Sequence, residues 1–234
     1  MEGRRKDKRK QRLTLNARLT IMLFVTAVPM IGMVVGILCM VLNYSHSYNK
    51  IMANMKIANE YNIKFKEDME YSMYRVMIGL IDVDEFESGD IIEGKTQYAT
   101  VVKNPLRMIE EARKDFSGSI TLTPGSYSDI KIKGILSCLD SLETAVGKMI
   151  DNSDEPGTYT ENNNIWENDI QGLCSMIQEY ITQYIYYELL RMEELQGNLE
   201  VHVRQSVVGA IALLAGVLAV GWFLSAMITR SVTG

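Results

Sequence analysis

Residues 19–42 read LTIMLFVTAVPMIGMVVGILCMVL, twenty-four positions without a charged side chain. At about 1.5 Å per residue a helix of that length reaches about 36 Å, enough to cross a hydrocarbon layer of about 30 Å. A second run, SVVGAIALLAGVLAVGWFLSAMIT at 206–229, is equally long and equally uncharged. Core helices of soluble proteins seldom run so far without a charge, and Arg18, Arg204 and Arg230 bracket the two runs. Both therefore read as membrane-spanning helices. A cleaved signal peptide does not fit the first. Its apolar run exceeds the roughly 7–15 residues of such a segment, and Asn43-Tyr-Ser-His-Ser stands where a small-residue cleavage site belongs.

Working outward, the charges are sorted by segment. Residues 1–18 carry eight basic and two acidic side chains, a net of +6, and residues 43–205 carry 15 basic and 27 acidic ones, a net of −12. Only Arg230 is charged in 230–234, which brings the chain to −5. The basic arm 1–18 places the N-terminus in the cytoplasm by the positive-inside rule, and two spans return the C-terminus there. The acidic 163-residue middle is then outside. Beside a span, the arm reads as a partner for anionic lipid of the bilayer, not for nucleic acid. At 47% apolar residues the chain is not disordered as a whole, and three cysteines do not make a disulfide scaffold. Gly32 and Gly36, Ala212 and Gly216, and Gly221 and Ser225 are small-xxx-small pairs compatible with close helix packing. Pro29 is tolerable in a membrane helix.

The outer segment reads as helical. Ile51, Met55, Ala58, Phe65, Met69, Met73, Val76 and Leu80 form a near-heptad stripe, and neither Gly nor Pro interrupts the chain between Gly36 and Gly79. The first span is thus expected to continue outward as one long helix. A second long helix is expected from near Trp166 into the second span, with the stripe Ile170, Leu173, Ile177, Ile181, Ile185, Leu189, Met192, Leu195, Leu199 and Val203. Asn104-Pro105, a cap followed by Pro at the first helical position, opens a helix to about Phe116. Another runs from Ser128-Asp129 to about Asp151, with turns at 117–126 and 152–164. Strand character is weak, confined to a short alternation at 119–123. The expected fold is all-α: two transmembrane helices continuous with an extracytoplasmic antiparallel bundle of the four-helix type. The segments are a cytoplasmic arm 1–18, spans 19–42 and 206–229, an outer domain 43–205, and a linker start 230–234.

No dinucleotide, P-loop, zinc-protease or nucleophile-elbow motif is present, and the two histidines offer little for metal or acid–base chemistry. No catalytic residue and no cofactor is expected. Asp82, Asp84, Asp90 and Glu93 fall at positions 1, 3, 9 and 12 of a calcium loop. Phe86 and Glu87 break that pattern where a ligand and a turn glycine belong, so a solvated acidic connector is the better reading, with weak cation binding as the alternative. His46 and His202 stand four residues outside the two spans, as interfacial polar residues or as a pH-responsive pair. Cys138 and Cys174, each on an apolar helical face, are either a disulfide or buried thiols. Trp166, Tyr180, Tyr184 and Tyr187 are candidates to line a ligand site, with bundle core as the plainer role.

Met227-Ile-Thr-Arg-Ser-Val-Thr-Gly234 resembles the entry to a HAMP linker, and the order of arm, span, long helix, bundle, long helix and span resembles the N-terminal sensor half of a bacterial two-component sensor histidine kinase. The YesM-like kinases are the most similar in character, including the Met73-Tyr-Arg-Val-Met-Ile-Gly79 region. The resemblance implies a membrane-bound signal receptor in the bacterial plasma membrane, a parallel homodimer, an unidentified extracellular ligand, and a response regulator reached through a kinase domain outside these residues. Two other classes share the layout: a methyl-accepting chemotaxis-type receptor, and a surface interaction protein anchored by two spans.

Overall fold

Helix α1 runs from Leu15 to Met77 as 63 residues without a break, through Pro29 and through the boundary between the uncharged run and the acidic middle. The computed structural model describes residues 15–81, 86, 89–93, 100–120, 124–153 and 157–232. A Schellman closure stops α1. The Gly79 N–H donates to the Val76 carbonyl and the Leu80 N–H to the Arg75 carbonyl, each at 3.0 Å. Gly79 takes φ +68°, which costs a residue with a Cβ about 1–2 kcal/mol. Helix α5 is almost as long, Gln171–Val232. Between them lie strands β1 (Ile91–Glu93) and β2 (Thr100–Val102) and helices α2 (Pro105–Lys114), α3 (Tyr127–Ser153) and α4 (Tyr159–Asn164). Two π-helical turns, Asp115–Ser119 and Ile165–Ile170, extend α2 and join α4 to α5.

The chain divides into two compact units, one of His46–Leu195 and one of Met1–Ser45 with Gln196–Gly234. In the first, one core gathers α1, α2, α3 and α5 around Phe65, Met69, Ile109, Leu139, Ile177 and Ile181. Side-chain bonds tie α1 to α5. The Lys66 ammonium donates to Ser175 Oγ at 3.0 Å, and Gln178 and Thr182 both donate to Asn62 at 3.2 Å. Arg113 ties α2 to Asp140 and Glu143 of α3.

The buried stripe of α5 differs from the sequence expectation. It is Ile170, Cys174, Ile177, Ile181, Tyr184 and Glu188, stepping alternately by four and three. The expected stripe stepped by four from Ile177 to Leu189, and each such step turns about 400°, so the row walks off the buried face. Leu189 is accordingly exposed. The fold also departs from all-α. Strands β1 and β2 pair antiparallel, Ile91 opposite Val102, and close a small cluster of Val76, Ile81, Phe86 and Val102. The β-branched run Thr100-Val101-Val102 was the local signal. Of the alternation at 119–123, Ser119 is π-helical, Ile120 lies in a bend, and 121–123 lie outside the described residues.

In the second unit the apolar side chains face outward. Leu23, Ile31 and Val34 on α1 and Val208, Ile211 and Leu218 on α5 are each more than 60% exposed. Both helices are long and apolar enough to cross a membrane. One close approach between them is at a glycine outside the expected small-residue pairs: a Cβ on Gly209 would lie 3.2 Å from Met33 Cε, whereas one on Gly32, Gly36 or Gly216 would meet open space.

Glycine substitutions separate backbone from packing effects. Gly147→Ala, mid-helix with open space, should stabilise the chain by about 1 kcal/mol. Gly79→Ala should destabilise it by about 1–2 kcal/mol through the positive φ. Gly134→Ala should gain nothing, because its Cβ would meet the Tyr180 ring at 3.1 Å. Denaturant unfolding of the detergent-solubilised chain checks all three.

Candidate functional site

A groove of about 300 Å³ lies between α1 and α2. The Asn104-Pro105 start signal positions its α2 wall. The Asn104 side chain accepts the Arg107 N–H at 3.1 Å and donates to the Phe86 carbonyl at 3.1 Å, while its own N–H donates to Asp90 Oδ1 at 3.0 Å. That clamp fixes the phase of α2, and with it Lys103, Arg107, Met108 and Glu111 along the groove. The α1 wall is the row Glu60, Tyr61, Lys64, Phe65 and Asp68, at the three- and four-residue spacing of one helical face. Phe65 and Met108 are buried and give the groove an apolar floor.

The two ends differ in charge. At one, the Tyr61 hydroxyl donates to Asp115 Oδ2 at 2.7 Å, and Ser119 Oγ donates to Asp115 Oδ1 at 3.3 Å. Asp115 thus sits among neutral donors, near Glu60 and Glu111. The π-helical turn that begins at Asp115 widens α2 here, a distortion frequent at functional sites. Burial, then the bond to Asp115 and its charge, push the Tyr61 hydroxyl well above its ordinary range. At the other end Asp90 takes both Arg107, at 2.5 Å, and Lys103, at 3.6 Å, so two cations share one carboxylate. Burial alone would raise the Asp90 carboxyl, but the Asn104 N–H and the Arg107 guanidinium outweigh it and hold the group low. Asp68 is half-buried beside this end, and burial raises its carboxyl because Lys103 offsets only part of the desolvation.

The aromatic candidates are distributed elsewhere, and none of the four lines this groove. Trp166 packs on Tyr74, ring centroids 5.8 Å apart. Tyr180 lies against Gly134, with the Lys131 ammonium 5.5 Å from its ring centroid. Tyr187 stacks on Tyr127 at 5.1 Å. Tyr184 is fully buried in the core, and burial followed by the charge of Glu188 pushes its hydroxyl upward. Of the calcium-loop residues, Asp82 and Asp84 lie outside the described residues. Asp90 faces Lys103 and Arg107, and Glu93 pairs with Arg75. The chain's own cations thus hold these two carboxylates. His46 and His202 are both exposed. Cys138 and Cys174 are free, buried thiols, and burial raises both, Cys174 to about 12.

Sequence reasoning missed the groove, since its walls are 35 or more residues apart and mostly charged. It also missed Glu188, 1% exposed on the buried stripe, which accepts Ser128 Oγ–H at 2.6 Å and pairs with Arg191 at 3.7 Å. No protein family, no curated protein and no solved structure matches this chain.

The Cys174 thiol carries a pH signature. Its folded value of about 12 lies above the ordinary 9.0, so the stability it contributes is complete below pH 9 and is lost as pH rises toward 12. At pH 8, iodoacetamide should leave Cys174 unmodified in the folded chain and alkylate it after unfolding. Cys174→Ala should flatten the alkaline limb of the stability profile.

Proposed function

We propose that this chain is the sensing and transmembrane half of a bacterial signal receptor, of the sensor histidine kinase kind, with the α1–α2 groove as its ligand site. The observation that carries the reading is helix continuity. Both α1 and α5 run unbroken from a 24-residue uncharged segment into the walls of the His46–Leu195 core. In this reading the uncharged segments cross the plasma membrane, and the +6 arm holds both termini in the cytoplasm. Residues 43–205 then form an extracytoplasmic antiparallel bundle of the four-helix type. The pairing of residue 62 with 178 and 182, and of 66 with 175, supports that direction for α1 and α5.

Physically, a ligand acts only through a difference in affinity between two bundle arrangements. A groove walled by α1 and α2 is suited to this, because a molecule seated there bears directly on α1. A small shift, tilt or rotation of α1 or α5 outside would reach Arg230 without an intervening loop. Residues 227–234 then open a HAMP-like linker in a parallel homodimer, with the kinase output beyond them. The exposed apolar side chains of α1 and α5 favour a membrane-embedded receptor over a soluble enzyme.

External protease on intact cells should cleave within 46–195 and spare tags at both termini. Cleavage of either terminal tag would refute the topology. In a Cys39→Ser background, single cysteines along 206–225 should give disulfide-linked dimers with a period near 3.5 residues. Uniform absence of crosslinks would refute the homodimer.

A further inference from the structure

We infer that the groove between α1 and α2 closes on acidification, with Asp68 of α1 taking the proton and Lys103 left wholly to Asp90. This deepens the receptor reading and rests on it, because it makes the proton that receptor's effector. Two carboxylates face one lysine here, and their surroundings differ. Asp90 accepts the Asn104 N–H at 3.0 Å and pairs with Arg107 at 2.5 Å and with Lys103 at 3.6 Å. Asp68 lines the groove, half-buried on the turn of α1 that also carries the core residues Phe65 and Met69. Among the described residues none donates a hydrogen bond to Asp68 and none forms a close ion pair with it. A half-buried carboxylate without such partners is costly to keep ionised, and a proton removes the cost.

The charges around Asp68 balance. Lys103, just before α2, and Lys64, one turn back on α1, favour its ionised form, while Glu67 of α1 and Asp90 oppose it. Arg107, the other cation of the α2 wall, is engaged by Asp90 and by Glu111. Glu60 and the Tyr61–Asp115 pair lie seven or eight residues back along α1, about 10–12 Å. Burial is therefore left to decide, and it favours the neutral carboxyl. The Asp68 carboxyl lies above the ordinary 3.8, and that of Asp90 lies below it. As pH falls, Asp68 takes its proton first, while Asp90 still holds Lys103 and Arg107. A proton binds the buried carboxyl more tightly than one in water, so acid favours the arrangement with α1 packed closely on α2. What Asp68 contributes to that packing is complete below pH 3.8 and is lost as pH rises through its higher folded value. At neutral pH the balance moves toward an arrangement that lets water reach the carboxylate. The moving wall is α1 itself, a single unbroken helix.

Pulsed electron spin resonance on the detergent-solubilised full chain tests this, with nitroxides on Asn59→Cys of α1 and Glu110→Cys of α2. Both positions are exposed, Cys39→Ser removes the exposed native thiol, and Cys138 and Cys174 are buried. Between about pH 7.5 and about pH 4 the distance distribution should shift to shorter values as pH falls. Asp68→Asn, neutral at every pH, should hold the short distribution throughout. Lys103→Gln should move the midpoint to higher pH, because the ionised carboxylate loses its attraction. At pH 7.5 Asp68→Asn should melt no lower than its parent, since it removes a half-buried charge. A distribution that ignores pH, or that follows pH equally in Asp68→Asn, would overturn the proposal, as would a lower melting temperature of that variant. None of these results alters the topology and crosslinking tests of the receptor reading, so the two fail separately.

Discussion

An α-helix packed against its neighbours buries a stripe, not a circumference, and everything else in this chain follows from where α1 and α5 change from one pattern to the other. Between Ile51 and Val76, and between Ile170 and Glu188, buried residues recur mostly at three- and four-residue steps, and most of the other positions carry polar side chains. Beyond those limits, in 19–42 and 206–229, apolar residues occupy every face. No packing partner of ordinary size can cover such a surface. Leu23, Ile31, Val208 and Ile211 stay exposed although each helix lies against others. Under the proposed reading the lipid covers them, and the change of pattern marks the membrane boundary.

Inside the His46–Leu195 unit the same stripe carries polar residues that a bland core would not. Asn54 and Ser72 on α1 and Glu188 on α5 are buried at core positions. Glu188 is held by Ser128 and Arg191, and a buried carboxylate without such partners would cost far more than a methylene group gained. Glu188 ties α5 to α3 through Ser128, and a one-step slip of either helix would strand its charge. The groove lies at the opposite kind of surface, where α1 and α2 present charges that the fold only partly pairs off.

The long elements were legible because their signals are local. Uninterrupted helical residues between Gly36 and Gly79 predict the run of α1, and Asn104-Pro105 predicts the start of α2 to the residue. The end of α1 was not legible in the same way: the expected stripe ran on to Leu80, which lies past the Schellman closure at Gly79 and is exposed. The β1–β2 pair was not legible as a sheet. Each strand is three residues long, and its pairing comes from contacts with Val76, Ile81 and Phe86. The α5 stripe beyond Ile181 was misread for a geometric reason, since isoleucines and leucines four apart drift around the helix while Tyr184 and Glu188 keep to the buried face.

By itself the sequence determined the two uncharged helices, the sorting of charge around them and the helical character of the segment between. Those properties depend on side chains within one turn or one run of each other, so proximity in the chain suffices. Tertiary structure decided which small residue allows close approach, Gly209 and not Gly32 or Gly36, and which cations meet Asp90 and Glu93. It also decided that Tyr61 and Asp115, 54 residues apart, form one end of a groove while Trp166, Tyr180, Tyr184 and Tyr187 are dispersed. Such pairings depend on the phase at which separate helices meet, and phase is set by the whole core, not by any one segment of it.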